Sequence, residues 1–289
     1  MTKFEFQAIG TGWQIDIAKE LSSEEEALLL LEIMDRIKLF DIAYSRFRKD
    51  SLVTLMSENS GEFVLPEDAN LMISNYKKMY DVTNGLVTPL IGQVLVDAGY
   101  DADYSLIEKD LTKPSSWEEA IEWQEPKLIM KTPSLLDFGA GGKGYLVDII
   151  SEILEKNKIF SYCVDGSGDL RQRSEVGAIL KVGLEHPDDS TQVVGVANIL
   201  NQSICGSAGN RRKWGNFHHI INPESLTSPK GILAIWAVAE TTFLADLLTT
   251  ALFFVSPEIL LKHYIFEYFI IYSDYSMKKS VGFDAEVFT

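Results

Sequence analysis

From Ile159 onward, short apolar runs follow one another with turns between them and no helical periodicity: Ile159–Val164, Ile179–Leu184, Gln192–Ile199, Ser203–Gly206 and Ile232–Glu240. Parallel strands need a crossover of a dozen or more residues, usually a helix, so runs joined by turns are predicted to pair antiparallel. The first half reads differently. Ser22 and Glu25 form a capping box ahead of Leu30, Ile33, Met34 and Ile37, which predicts a helix over Ser23–Phe40. Pro66, then Met72, Tyr76, Met79 and Tyr80 at helical spacing, predict a second helix ending before Asn84-Gly85. Leu128–Met130 and Leu135–Phe138 read as strands around a Thr-Pro turn, and Gly139–Gly144 lead into a helical pattern at Leu146, Ile149, Ile150, Ile153 and Leu154. A helix over Thr242–Val255 and a strand over Tyr264–Tyr272 complete the pattern. The expected class is α+β, with largely antiparallel or mixed sheets and packed helices in a single unit over 1–289, of one or two lobes.

With 289 residues, 46% of them hydrophobic, the chain is long enough to bury a substantial core. Its formal charge of −16 would repel nucleic acid and anionic lipid, so neither is an expected partner. A phosphate-bearing ligand would need a cation, a helix N-terminus or a few placed basic side chains to offset that repulsion. The first twenty residues lack the apolar core of a signal peptide, and Asp246 and Glu267 interrupt the longest apolar stretches, so neither export nor a membrane span is expected. Cys163 and Cys205 read as buried reduced thiols. A cytoplasmic protein is the expectation, although an exported form trimmed of its leader would read the same.

Three constellations carry chemistry. Gly139-Ala140-Gly141-Gly142-Lys143-Gly144 matches the dinucleotide-binding glycine pattern, with Asp165 downstream. The strands beyond Asp165 lack the crossover helices of a doubly wound domain, and Gly144 stands where a Walker A loop needs Ser or Thr. The loop reads either as an anion cradle at a helix start or as a tight strand-to-helix junction. Asp246 and Thr250, four residues apart on one helix, share a face. They read as hard oxygen ligands suited to Mg²⁺, or as a first-turn acid with a threonine bonded to a backbone carbonyl. His218 and His219 follow the basic cluster Arg211-Arg212-Lys213, where a histidine could orient a phosphate or move a proton, or simply pack.

The order of these pieces resembles the ApbE family of FAD:protein FMN transferases over nearly the whole chain. Ile9-Gly10-Thr11 resembles the family's Met-Gly-Thr, and Tyr44-Ser45-Arg46-Phe47 with Asp50-Ser51 its Ser-x-Tyr/Phe segment before Asp-Ser. Asp137-Phe138-Gly139-Ala140-Gly141-Gly142-Lys143-Gly144-Tyr145, followed by Asp148, is similar to Asp-Leu-Gly-Gly-Ile-Ala-Lys-Gly-Tyr. Gly166-Ser167-Gly168-Asp169 resembles Gly-Gly-Asp, His219-Ile220-Ile221-Asn222-Pro223 resembles His-Ile-Ile-Asp-Pro, and Asp246 to Thr250 resembles Asp-x-x-x-Thr. The resemblance implies a T-fold-like architecture in which Mg²⁺ is held by Asp246, Thr250 and a backbone carbonyl near Ala140. It implies that Ile9, Phe47, a strand over Leu86, Val87 and Thr88, Asp137, Lys143 and Ile220 line FAD, and that His219 serves in acid–base or phosphate-orienting work. The implied reaction moves FMN from FAD to a Ser or Thr hydroxyl of a target flavoprotein and releases AMP. FAD pyrophosphatase activity, or FAD binding without turnover, are the alternatives.

Overall fold

The computed structural model describes residues 1–210 and 212–288. It opens on a hairpin, β1 (Thr2–Ala8) and β2 (Thr11–Ile17), whose turn residues Ile9 and Gly10 have φ of +44° and +76°. Two positive φ values give a turn whose twist matches that of the flanking strands. The alternation of Trp13, Ile15 and Ile17 with Gln14 and Asp16 carries the period of two that marks a half-buried strand, a signal weaker to the eye than the later apolar runs.

Next come α1 (Ser23–Tyr44) and α2 (Leu52–Glu58), capped by Ser22 and Ser51. The capping box predicted at Ser22 and Glu25 is present, and the helix runs beyond Phe40 because Phe40, Ala43 and Tyr44 continue its buried face. Strand β3 (Gly61–Val64) precedes α3 (Ala69–Val82), and Pro66 lies in the turn before that helix, its carbonyl accepting from the Ala69 amide at 2.9 Å. A 3₁₀ turn at Pro89–Ile91 leads into α4 (Gly92–Asp97), and α5 (Trp117–Ala120), β4 (Ile121–Gln124) and β5 (Lys127–Met130) follow. The strands expected over Leu86–Thr88 and Leu135–Phe138 do not form. The Thr83 hydroxyl accepts from Val87 and that of Thr88 caps the 3₁₀ turn, so local side chains take over the backbone groups a ladder would use. In the second segment the Asp137 amide donates to the Pro89 carbonyl at 2.7 Å.

Helix α6 (Gly142–Lys156) leads into the strand-rich half: β6 (Tyr162–Asp165), β7 (Asp169–Arg173), β8 (Leu180–His186), β9 (Asp189–Ile199), β10 (Ser203–Ala208), β11 (Lys213–Trp214), β12 (Phe217–His218) and β13 (Ile232–Ala239). Helices α7 (Thr242–Ala251) and α8 (Pro257–Leu260) precede β14 (Glu267–Tyr272), β15 (Met277–Lys279) and β16 (Ala285–Val287). An eight-stranded sheet runs β1-β2-β6-β7-β10-β13-β14-β15, and every neighbouring pair described in it is antiparallel. Tight turns join β1 to β2, β6 to β7 and β14 to β15, whereas β13 and β14 pair antiparallel across α7 and α8. Smaller sheets run β3-β5-β4 and β16-β9-β8.

The large sheet is buried on both faces, which is why β13 reads as an uninterrupted apolar run. Its Ile235 and Ala237 join the core shared with α1, α3, α6 and α7, while Ala234, Trp236 and Val238 pack with Leu184, Val194 and Ile199 of the sheet above. Among the described residues no helix is long and apolar enough to cross a membrane. Helices α6 and α7 lie against each other at Gly144, where an added Cβ would fall 2.7 Å from the Thr242 carbonyl carbon and 2.8 Å from Asp246 Cβ. Backbone cannot yield as a side chain can. Gly144→Ala is therefore expected to lower stability by about 1–3 kcal/mol. Gly142→Ala, whose nearest neighbours would be 3.7 Å away, is expected to be neutral or stabilising. Urea unfolding midpoints that fall equally in both variants would show that the α6–α7 approach is not the constraint.

Candidate active site

The contact of α6 with α7 fixes the floor of the site. Asp148 of α6 accepts from the Thr242 and Phe243 amides at 2.9 and 2.8 Å, capping the first turn of α7. In return Asp246 of α7 accepts from the Gly144 amide at 3.0 Å. Asp246 lies beyond the first turn, so the capping alternative for it does not apply; Asp148 performs that task. Thr250, one turn further, sits with its hydroxyl 3.5 Å from the Ala140 carbonyl, and the adjacent Thr249 bonds the Asp246 carbonyl instead. A hydroxyl and a carbonyl thus meet, and the Asp246 carboxylate, one turn back on the same helix, lines the same cleft.

The four glycine amides of the loop bind within the protein. Gly139 donates to Asp137 at 2.7 Å, Gly141 and Gly142 to the Phe138 carbonyl, and Gly144 to Asp246. Those donors are committed. What the glycines supply is space: a Cβ on Gly141 would meet Leu247 and Phe243 of α7 below 3 Å. The loop is a tight junction that brings the Ala140 carbonyl to Thr250.

Lys143 pairs with the carboxylate of Asp169 and reaches the Gly166 carbonyl at 3.4 Å. Burial pulls its pKa down, but the carboxylates of Asp169 and Asp246 outweigh that effect and leave it above the ordinary lysine value. Asp169 is 1% exposed and its Oδ1 has no hydrogen-bond partner. Burial, reinforced by the charge of Asp169, pushes the Asp246 carboxyl well above the usual range despite nearby Lys143. A buried acid in that state gains when a cation arrives. Asp137 is held by the buried Arg46, whose guanidinium also donates to the Tyr100 carbonyl at 2.7 Å and lies 4.2 Å from the Phe47 ring centre.

Beside these groups opens a cleft of about 660 Å³, within the size range of ligand sites. Phe47, Leu86, Val87, Thr88, Asp137, Ala140, Lys143, His219, Ile220, Asp246 and Thr250 all lie on its walls. Ile9 does not. It packs against the main core, because the hairpin turn points it there, and Thr11 lines the cleft instead. Of the basic cluster, Arg212 lines the cleft and donates to the Tyr100 hydroxyl at 3.0 Å, whereas Arg211 lies outside the described residues.

The two histidines divide their work. His218 Nδ1 accepts from the Ile220 amide and Nε2 faces the Pro229 carbonyl at 2.9 Å, so both nitrogens are used in packing. His219 Nδ1 is buried without a partner. Burial first, then the charges of Arg212, His218 and Lys143, bring the His219 pKa down to about 3, leaving it neutral at pH 7. Arg46, Asp148 and Asp169 are participants that the sequence showed only as members of motifs, without a role. Asp148 was readable as one acid on the apolar face of α6; the partners of Arg46 and Asp169 are 91 and 26 residues away along the chain.

The residues named fit a divalent cation in one specific sense: the Asp246 carboxylate, the Thr250 hydroxyl and the Ala140 carbonyl form an all-oxygen donor set of the kind Mg²⁺ takes together with substrate phosphates. Among the described residues no three His, Cys, Asp or Glu side chains gather to hold a metal. A site that shares its ion with a substrate has no need of such a group.

The sequence model of the ApbE family matches residues 9–264. No match is found among curated proteins. Among solved structures, the chain is similar to the apbe protein from Thermotoga maritima (18% identity, 97% of each chain covered, TM-score 0.81) and to the flavin transferase ApbE from Vibrio cholerae (16%, 96% of each, 0.78). It is also similar to the flavinyl transferase ApbE from Pseudomonas stutzeri, apo form (16%, 97% of this chain and 95% of that one, 0.79). At such identities the likeness shows a shared fold, the mixed helices and antiparallel sheets described above.

An unfolded histidine protonates near 6.5, whereas His219 in the fold does so only near 3. Below 6.5 the unfolded chain therefore binds the extra proton, so stability from this group is fully present above that pH and is lost as pH falls towards 3. His219→Gln should lose less stability than the parent between about pH 6.5 and pH 5. Parallel denaturation midpoints across that window would mean that His219 is solvated.

Proposed function

Because the chain belongs to the ApbE family, we propose that it is a Mg²⁺-dependent FAD:protein FMN transferase acting on a Ser or Thr hydroxyl of a target flavoprotein. The observation that carries this reading is the meeting of Asp246, Thr250 and the Ala140 carbonyl on the wall of a cleft that also holds Lys143 and His219. In the reaction, the acceptor oxygen forms a bond to the phosphorus on the FMN side of FAD, the bond to the bridging oxygen breaks, and AMP leaves with the bridging oxygen. The hydroxyl proton passes to a base.

Transfer of this kind asks for positioning and charge neutralisation more than for covalent help. Asp246, Thr250 and the Ala140 carbonyl would hold Mg²⁺, which supplies Lewis-acid stabilisation of charge on the diphosphate oxygens. Lys143 and Arg212 add positive charge in an otherwise acidic chain. Phe47, Leu86, Val87 and Ile220 offer apolar surface for the flavin, with Thr88 and Asp137 as polar contacts. His219 is the candidate base. Its proton affinity is held down partly by Arg212 and Lys143, so a diphosphate that offsets those charges would raise it towards the useful range.

One incubation tests the reading: FAD with the protein, with and without Mg²⁺ and a candidate acceptor protein, followed by nucleotide chromatography and intact mass of the acceptor. AMP release with an FMN-sized mass gain is expected. AMP with free FMN and no gain would instead assign a pyrophosphatase, and unchanged bound FAD a carrier. Asp246→Asn should cut Mg²⁺-dependent AMP release by about 100-fold or more, since it removes the charged ligand. Thr250→Val, which keeps the shape of α7, should cut it as well and raise the Mg²⁺ concentration required. Unaltered metal dependence in both variants would move the site elsewhere.

A further inference from the structure

Strand β8 is the outer strand of the β16-β9-β8 sheet, bonded to β9 along one edge only. Among the described residues, no backbone hydrogen bond from outside that ladder reaches Leu180–Leu184. Because backbone groups of successive residues point to alternate edges, every second residue there directs both its N–H and its C=O away from β9. A strand that showed a cavity one of its faces would line it with alternate residues. Leu180, Lys181, Val182 and Gly183 line the cleft consecutively, so β8 turns its edge to it. The same cleft holds Asp246, Thr250, Lys143 and His219.

Exposed edges are usually blunted by charges, prolines or bulges. Between Leu180 and Leu184 only Lys181 is charged, none is proline, and the irregularity in pairing comes after Leu184. Gly183 is exposed and has no side chain to stand in the way of an incoming chain.

We propose that the β8 edge receives an extended segment of the acceptor protein as an added antiparallel or parallel strand, and so delivers its Ser or Thr hydroxyl to the site. The occupant follows from position and charge. A hydroxyl carried by a folded protein must enter this cleft on an exposed stretch of chain, and an edge of unpaired N–H and C=O groups binds such a stretch through its backbone. The cleft lining carries Asp16, Asp137, Asp165 and Glu185 besides Asp246, against Lys143, Lys181 and Arg212, and the whole chain carries −16, a balance that favours a neutral or basic segment. What happens after docking rests on the transferase reading, whereas docking itself does not.

The test uses the full chain and an acetylated, amidated peptide, Lys-Val-Thr-Val-Thr-Val-Thr-Lys, together with the same peptide N-methylated at alternate residues. Methylation removes backbone donors and leaves the side chains intact. Hydrogen exchange is expected to slow at least about 10-fold at outward amides within residues 180–184 when the first peptide is added, and the methylated peptide should bind at least about 10-fold more weakly. Lys181→Pro and Val182→Pro give an internal control, because only one of these adjacent amides faces outward: one variant should keep FAD binding, read by flavin fluorescence, yet lose the peptide. Equal binding of the two peptides would overturn the proposal. So would protection confined to other residues, peptide retention in both proline variants, or protection of β8 by a second copy of the chain in the absence of peptide. Peptide docking without any FMN mass gain would count against the transferase reading and leave the docking edge standing.

Discussion

Much of this site depends on how closely two helices approach. Gly144 lets the α6 backbone come against Thr242 and Asp246 of α7, and three hydrogen bonds then lock the pair: Asp148 to the Thr242 and Phe243 amides, and the Gly144 amide to Asp246. Each helix supplies a carboxylate that satisfies free amides at the start of the other, an arrangement favoured by the positive end of a helix. Asp246 is thereby fixed in orientation, and with it Thr250 one turn on. The loop that precedes α6 is drawn in by the same contact, which is why the Ala140 carbonyl arrives beside Thr250.

Charge is distributed sparingly around this frame. In a chain of net −16, the cleft gathers Lys143, Arg212 and the Arg46 guanidinium behind Asp137. Lys143 stands between Asp169 and Asp246, so its charge is partly committed to holding two acids in a buried place. Buried pairs of this kind add little net stability, because desolvation offsets much of their attraction. Asp169 keeps a buried carboxylate oxygen without a partner, and burial together with the nearby positive charges keeps His219 neutral at pH 7.

Strand β8 brings the second sheet into the same space. The large sheet carries helices on one face and β8 and β9 on the other, so the cleft lies where the edge of the upper sheet meets the loops that lead into the helices. A small-molecule pocket and a strand edge able to bind a chain are therefore neighbours by construction. Under the proposed transferase reading, that adjacency would bring two unlike substrates together.

Local chemistry in the sequence determined a good deal: the Ser22–Glu25 capping box, the apolar periodicity of α1 and α3, the turn-joined runs that pair antiparallel as β6–β7 and β8–β9, and the one-turn spacing of Asp246 and Thr250. These features act within a few residues, where steric and hydrogen-bonding rules are nearly independent of the rest of the chain. Leu86–Thr88 and Leu135–Phe138 have the composition of strands, but threonine caps and the Pro89 carbonyl claimed their backbone groups, and only the folded chain brings that carbonyl to Asp137. The glycine loop was visible as a motif, yet whether its amides face a ligand or bind within the protein depends on Asp246, 102 residues beyond Gly144. Which of two adjacent histidines keeps a free nitrogen, that Ile9 turns into the core, and that β8 presents its edge to the cleft were likewise decided by tertiary packing. Each depends on groups distant in sequence competing for the same donor, acceptor or volume, and no local pattern records the outcome of that competition.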